Sequence, residues 1–289
     1  MIKYVLFVVV LGAFATCRPK ATQPITPLDG SDSLTTASKQ DSSPSANPAG
    51  FRLVESRYRT NAGVSVTAYS YNAFGRLLAI KSGPDQTGSQ TLFKWINDRV
   101  LRTEQYYTNP PWSSSIQTGL PLRLMSYTDT EYGSDGLILF TKNYLVQDGK
   151  PDYRSYNTHQ YDSGGSIVRS NVYGLDDGLW SYNTYAYDAR GNVTTERYYS
   201  TQEGAIKLIS TTTYEYDNKP NPFATTGRNY IIMDRNLNNI TRKRYVREFD
   251  VPGVPRTTEE RWTYTYRADG YPGNVTYQDG SREEFVYNR

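Results

Sequence analysis

Few residues in this chain have a type and spacing that could do chemistry. There is one cysteine, Cys17, and one histidine, His159. A lone histidine leaves little material for a zinc site, and it has no candidate nucleophile beside it in the sequence for a Ser–His or Cys–His couple. His159 occupies an aromatic slot of the repeat described below, which points to a packed structural side chain. Three acidic pairs, Asp176-Asp177, Glu259-Glu260 and Glu283-Glu284, could supply carboxylates, but a glycosidase needs two that face each other roughly 5 to 10 Å apart. Neighbouring strand residues point to opposite faces, so no pair can meet that need alone. The stretch Asp234-Arg-Asn236-Leu-Asn238-Asn239-Ile240 has the Asp-x-Asn-x-Asn opening of a calcium loop. It carries Asn239 where the loop wants Gly and Tyr245 where it wants a bidentate Glu, so an Asn-rich hairpin turn is the better account. The run Arg242-Lys243-Arg244, with Arg247, reads as strand-edge charge that guards against edge-to-edge pairing. Neither an enzyme nor a cofactor is specified. With 32 basic against 29 acidic side chains, the charge balance does not ask for nucleic acid.

The residue type that dominates is tyrosine. Of 27 tyrosines, only Tyr4 precedes Phe51, so the folded body begins near residue 51. From there one unit recurs: two aromatics separated by one position, then Asp or Asn, a Gly-containing turn and an aliphatic-polar run. Its best copy is Tyr185-Ala-Tyr187-Asp188-Ala-Arg-Gly191-Asn192-Val193. Relatives begin at Tyr69-Ser-Tyr71-Asn72, His159-Gln-Tyr161-Asp162 and Tyr264-Thr-Tyr266-Arg267, and weaker copies sit at Phe93-Lys-Trp95, Glu131-Tyr132 and Phe285-Val-Tyr287. Residues i and i+2 of a strand share a face, Asp or Asn accepts local backbone hydrogen bonds, and Gly supplies the positive φ of a tight reversal. Each unit therefore reads as one hairpin with an aromatic face and a wet face. The fold class expected is all-β: an antiparallel meander of tyrosine-rich hairpins over residues 51–289, forming a curled open sheet or an incomplete barrel.

Tyrosines and the four tryptophans, Trp95, Trp112, Trp180 and Trp262, could line a sugar-binding platform. With so few aliphatic residues in the repeats, most rings are instead expected in the core. The insertion Tyr106-Tyr107-Thr-Asn-Pro-Pro-Trp112 differs, since adjacent aromatics beside two prolines cannot all face one core. Tyr106, Tyr107 and Trp112 are the candidate ligand-binding residues.

Ahead of the body, Lys3 and the apolar run from Tyr4 to Phe14 are too short to span a bilayer and read as a signal peptide, residues 1–16. Residues 18–50 hold five prolines, six serines and no aromatic residue. Such a segment cannot bury enough apolar surface to order itself, and as a coil it would reach roughly 30 Å. Residues 17–50 are thus expected to be a polar tether.

Two resemblances follow. Small residues at Ala13, Ala15 and Thr16 before Cys17 resemble a bacterial lipobox, which implies diacylglycerol on the Cys17 thiol and a membrane partner held through lipid. The competing reading uses Ala13-Phe14-Ala15 as a cleavage site that releases a soluble protein. The Tyr-x-Tyr-Asp-x-x-Gly unit resembles the YD repeat of RHS-type proteins. The string Tyr214-Glu-Tyr216-Asp217-Asn-Lys-Pro-Asn-Pro-Phe223 with Asn238-Asn239-Ile240-Thr241 is similar to uncharacterised lipoproteins of the Bacteroidota type. These imply an exported, outer-membrane-anchored envelope protein with a non-enzymatic scaffold or binding role toward a protein or glycan. The alternative is a carbohydrate-binding module of an outer-membrane uptake system.

Overall fold

The computed structural model describes residues 51–83, 88–108, 120–223 and 236–288, and its regular structure is a run of sixteen antiparallel strands. In chain order these are β1 (Leu53–Thr60), β2 (Gly63–Tyr71), β3 (Leu77–Gly83), β4 (Ser89–Ile96), β5 (Arg99–Tyr107), β6 (Arg123–Tyr132), β7 (Ile138–Gln147) and β8 (Lys150–Tyr161). There follow β9 (Ile167–Tyr173), β10 (Leu179–Tyr187), β11 (Val193–Gln202), β12 (Ala205–Pro220), β13 (Asn238–Arg247), β14 (Thr257–Tyr266), β15 (Pro272–Tyr277) and β16 (Arg282–Tyr287).

Each clear repeat is a hairpin, and the Asp188 copy shows why. Asp188 Oδ1 accepts the backbone N–H groups of Arg190 and Asn192 at 2.9 and 2.8 Å. The Asp188 N–H donates to Asn192 O at 2.9 Å, and the Gly191 N–H donates back to Asp188 O at 3.1 Å. This closes a three-residue loop whose last member, Gly191, has φ 90°, a conformation that a β-carbon would strain. The same side-chain staple recurs at Asn72 and Asp162.

Successive hairpins are tied by the second aromatic of each unit. Its polar tip donates to a carbonyl at the start of the strand that follows an earlier turn: Tyr71 to Leu53, Tyr161 to Ile138, Tyr187 to Ile167 and Tyr216 to Val193, at 2.6–2.9 Å. Trp95 Nε1 does the same to Leu77 O at 2.8 Å. Leu53, Leu77, Ile167 and Val193, which own four of these carbonyls, are fully buried. Each ring therefore covers an aliphatic side chain and satisfies the backbone beside it, so the hairpins stack in sequence order. Tyr187→Phe keeps the ring but strands the Ile167 carbonyl; a loss of about 1–2 kcal/mol in denaturant unfolding is expected, against several for Tyr187→Ala. Equal losses from the two variants would show that the hydroxyl contributes nothing.

The Tyr-x-Tyr face is the inner one. Phe223, three residues beyond β12, packs on Tyr69 of β2 and Phe285 of β16, with ring centroids 6.3 and 5.9 Å apart. Three residues reach at most about 10 Å, whereas β2 lies six strands round the wall from β12, roughly 29 Å along the outside, too far even with both side chains extended. The contact must pass through the interior. There Leu53, Tyr69, Leu77, Phe93, Val100, Val275, Phe285 and Tyr287 form the main apolar core.

The expectation of a curled open sheet or incomplete barrel is corrected: the sheet closes. β16 pairs with β1 as well as β15, with Ser56 opposite Phe285 and Arg57 opposite Glu284. Beyond the ladder, the Asn288 N–H donates to Arg52 O at 3.0 Å, and Arg52 N–H donates to Asn288 Oδ1 at 2.6 Å. Closure removes both unpaired edges. It also overturns the strand-edge reading of the basic run. β13 is paired on both sides, and on its outer face Arg242 is held between Glu215 and Glu259, both at 2.6 Å.

Candidate binding face on the outside of the barrel

The register assigns every candidate residue to one side of the wall. Glu259 and Glu284 face out, the latter beside Arg57 at 3.5 Å. Their neighbours Glu260 and Glu283 face in, and Glu283 accepts the Tyr277 hydroxyl at 2.7 Å. Asp176 and Asp177 lie in the β9–β10 turn, where Asp176 staples the Gly178 N–H and Asp177 accepts the Tyr156 hydroxyl at 3.1 Å. The acidic pairs are thus split between two environments, as strand alternation requires. His159 faces in, edge-on to the Tyr161 ring at 6.3 Å.

The Asn-rich stretch is not a simple hairpin turn. Asn238 and Asn239 begin β13, and with Asn236 they are buried. Their amides tie the long β12–β13 connection to the barrel: Asn236 Oδ1 accepts the Val193 N–H at 2.8 Å, Asn238 Oδ1 accepts from Asn192 Nδ2 at 3.0 Å, and Asn239 N–H donates to Asp217 Oδ1 at 3.1 Å. Asp234 lies outside the described residues, as do Cys17 and Trp112. Tyr106 and Tyr107 are on opposite faces of β5. Tyr106 points out and donates to Glu104 Oε2 at 3.0 Å, whereas Tyr107 shares the inner face of its cross-strand partner Ser89.

The inner face carries packed rings and hydrogen-bonded polar groups such as Glu196 and Glu283. Burial pushes the hydroxyls of Tyr185, Tyr214, Tyr264 and Tyr277 well above the ordinary tyrosine range, so they stay protonated donors. Glu196 is drawn into this interior and accepts the Tyr214 hydroxyl at 3.1 Å. Its pKa is raised because burial disfavours the carboxylate more than Tyr214 and Lys243 favour it. The folded state therefore binds a proton more tightly at Glu196 than the unfolded chain does, and stability is lost as pH rises above the ordinary carboxylate value. Glu196→Gln is expected to raise the melting temperature near neutral pH and to leave it unchanged in acid, where both side chains are neutral. A gain of the same size at both pH values would sink this assignment.

What sequence reasoning missed is a second set of tyrosines on the outer face. In the Tyr-x-Tyr units the outward residues are small or polar, as expected: Ser70, Ala186, Glu215 and Thr265 are all exposed. Further along the strands β6–β11 the outer positions are aromatic. Tyr127 of β6 stacks on Tyr144 of β7 at 4.5 Å, and Tyr144 meets Tyr153 of β8 at 5.4 Å. Tyr156 of β8 stacks on Tyr173 of β9 at 4.9 Å, and Tyr182 of β10 on Tyr199 of β11 at 4.4 Å. Each stacked pair is directly opposed across the ladder, the geometry in which cross-strand aromatics reinforce a sheet. All are partly exposed. Arg102 lies over Tyr127 at 4.2 Å and Arg169 over Tyr182 at 3.6 Å. The Tyr156 hydroxyl is pushed up to about 12 by burial and by its bond to Asp177. The sequence shows only that Tyr127 and Tyr182 are opposite in parity to Tyr132 and Tyr185 of their own strands, which puts them on the other face without saying which face meets solvent.

The rest of the exterior is different. On β13 and β14 the outward mid-strand residues are Arg242, Arg244, Glu259 and Arg261, and on β1 they are Glu55, Arg57 and Arg59. The outer surface thus has a tyrosine-bearing side and a charged side.

No protein-family model matches the sequence, and no curated protein matches it. Among solved structures, a porin-like protein from Bacteroides vulgatus aligns at 14% identity and a TM-score of 0.49, covering 82% of this chain and 98% of that one. A porin-like protein from Bacteroides uniformis aligns at 13% and 0.48, covering 82% and 96%. A putative outer membrane lipoprotein-sorting protein domain from Vibrio parahaemolyticus aligns at 11% and 0.21, covering 83% of each. At this level of similarity no function is transferred.

Proposed function

We propose that this chain is a lipid-anchored envelope protein, held to the outer membrane through Cys17, whose barrel is a non-enzymatic binding module that uses its tyrosine-bearing outer face. The observation that carries this reading is the placement of the aromatic rings. Rings of the inward set pack together and cap backbone carbonyls, as Tyr187 does to Ile167, while a second set on β6–β11 faces outward in cross-strand stacks gathered on one side. A barrel that crossed the membrane with its own strands would need an outward apolar band about 25 Å tall. Mid-strand Arg242, Arg244, Glu259 and Arg261 on the outer face oppose that arrangement, and a tether with a lipid anchor answers the need for attachment.

The test is anchoring in cells. Labelled fatty acid should be incorporated into the wild-type chain and not into Cys17→Ser, and the wild type should fractionate with the outer membrane. The Cys17→Ser chain should be recovered folded from an aqueous fraction without detergent. Tight membrane association of the unacylated variant would overturn the reading in favour of a spanning barrel. The second reading, a carbohydrate-binding module of an outer-membrane uptake system, is favoured by the outward tyrosines themselves.

A further inference from the structure

From the outer wall between β9 and β13 we infer a binding site for an acidic polysaccharide, whose anionic groups are taken by Arg169, Arg197 and Arg244; this rests on the binding role proposed above and names its ligand class.

The strand register gathers these arginines into one patch. Arg169 of β9 and Arg197 of β11 stand directly opposite Thr184 of β10, one on each side of it. Two residues back along β11, Thr195 opposes Thr213 of β12, and Thr213 opposes Arg244 of β13. All six side chains leave the outer face, and Arg197, Thr213 and Arg244 are exposed. The patch crosses four strand spacings, roughly 19 Å. Arg169 is set in place: its Nε donates to Oδ1 of the buried Asn171 at 2.7 Å, and its guanidinium lies 3.6 Å from the centre of the Tyr182 ring. The bond to Asn171 uses neither of its terminal nitrogens.

Among the described residues none of the three arginines makes an ion pair. The outward carboxylates on β9–β14 are Glu215 and Glu259, and both are already taken, Glu215 by Arg242 and Glu259 by Arg242 and Arg261, at 2.6–2.7 Å. Carboxylates in the adjoining turns are held as well. Asp162 and Asp188 bind backbone N–H groups, Asp177 accepts the Tyr156 hydroxyl, and Glu248 accepts Thr211 Oγ1 at 3.2 Å with Arg256 at 3.9 Å. The patch is therefore net positive. Its cations stand on alternate strands with no anion between them, and a ligand anion relieves their mutual repulsion.

Spacing and chemistry select among polyanions. Guanidinium groups grip carboxylates and other oxyanions with paired N–H donors, and Thr184 and Thr213, each beside an arginine, offer hydroxyls to those of a sugar chain. A nucleic-acid strand would present about six phosphates over ~19 Å, one per ~3.4 Å, whereas three arginines stand over that length. A sparser polyanion matches them. With both edges of the sheet closed, an extended acidic peptide has no strand to pair with. A polymer that meets all three arginines at once sums contacts that are weak singly.

The experiment is affinity electrophoresis of the purified full chain, in non-ionic detergent micelles, through native gels that contain polygalacturonate, alginate or chondroitin sulfate. Parallel gels contain neutral dextran or single-stranded DNA. Retardation by at least one acidic polysaccharide is expected, stronger than that by DNA, absent with dextran and reduced by salt. Binding should be about tenfold weaker in Arg197→Gln and in Arg169→Gln. Lys81→Gln removes the same charge from the outer face of β3, half-way round the barrel from β11, and should bind as the wild type does. Circular dichroism and melting temperature confirm that each variant is folded; if Arg169→Gln is not, Arg244→Gln replaces it. No retardation by any acidic polysaccharide, equal retardation by dextran, tighter binding of DNA, or an equal loss in Lys81→Gln overturns the inference. So does concentration-dependent self-association that Arg197→Gln abolishes, which would assign the patch to a second copy of this chain. Any of these results leaves the anchoring test intact: acylation at Cys17 with failure here means that the anchored module has a different ligand, whereas loss of acylation removes the proposed role itself.

Discussion

Ending the chain after Gly280, and so removing β16, is expected to abolish cooperative folding and not merely to weaken it. β16 is hydrogen-bonded to β1 on one side and β15 on the other. It contributes Phe285 and Tyr287, which are 6% and 7% exposed, and the Tyr287 hydroxyl satisfies Pro272 O at 2.8 Å. Phe51 stacks on Tyr287 at 5.0 Å, so the start of the barrel is packed on its end. Losing one large buried aromatic typically costs about 3–5 kcal/mol, and two together approach the whole stability of an ordinary domain, about 5–15 kcal/mol. The truncation also opens two long edges with unpaired backbone groups, which invites aggregation. Near-ultraviolet circular dichroism and a thermal melt check this. A sharp transition close to that of the intact chain would mean that closure is incidental to the fold.

The second large effect is expected at Asn192. It is fully buried and joins the β10–β11 turn to β13: its Nδ2 donates to Asp188 Oδ2 at 2.9 Å and to Asn238 Oδ1 at 3.0 Å, while its Oδ1 accepts the Asn238 N–H at 3.1 Å. Asn192→Ala strands several buried polar groups at once. At about 1–3 kcal/mol for each unsatisfied group, a loss of roughly 3–5 kcal/mol in denaturant unfolding is expected. The variant should also unfold at higher pH on acidification. Burial alone would raise the Asp188 pKa, but hydrogen bonds from the Asn192 side chain and from the backbone of Asn192 and Arg190 outweigh it and hold the carboxyl below its ordinary value. For an acid whose pKa is depressed by folding, the stabilisation is present above the unfolded value and disappears as pH falls through the folded one. Removing the Asn192 amide returns the Asp188 pKa toward its ordinary value and moves that loss upward in pH. An Asn192→Ala chain that matches the wild type in both denaturant and acid would show that the network is ornamental to stability.

These two sites differ in how visible they were beforehand. Asn192 sits inside the best copy of the repeat, and its turn follows from local chemistry: an acidic staple, a left-handed glycine and a restarting aliphatic residue within six positions. Its bond to Asn238, 46 residues away, has no local sign. The same holds for Tyr127 and Tyr144. Alternation says that both leave the sheet on one side, but whether that side is core or solvent depends on which face the closed wall turns inward. Tyr106 and Tyr107 were legible as residues that cannot share a face, and the register places Tyr106 outside beside Glu104 and Tyr107 inside.

Sequence alone determined what depends on neighbours along the chain: strands with alternating faces and hairpins at each Asp–Gly turn. Tertiary structure decided that the meander closes through β16 and β1, that the basic run lies mid-wall and not at an edge, and that one group of tyrosines is core while another is surface. The physical reason is range. Turn chemistry and side-chain period act over a few residues, whereas closure pairs segments more than 200 residues apart, and it is the accumulated twist and stagger of all sixteen strands that brings those ends together.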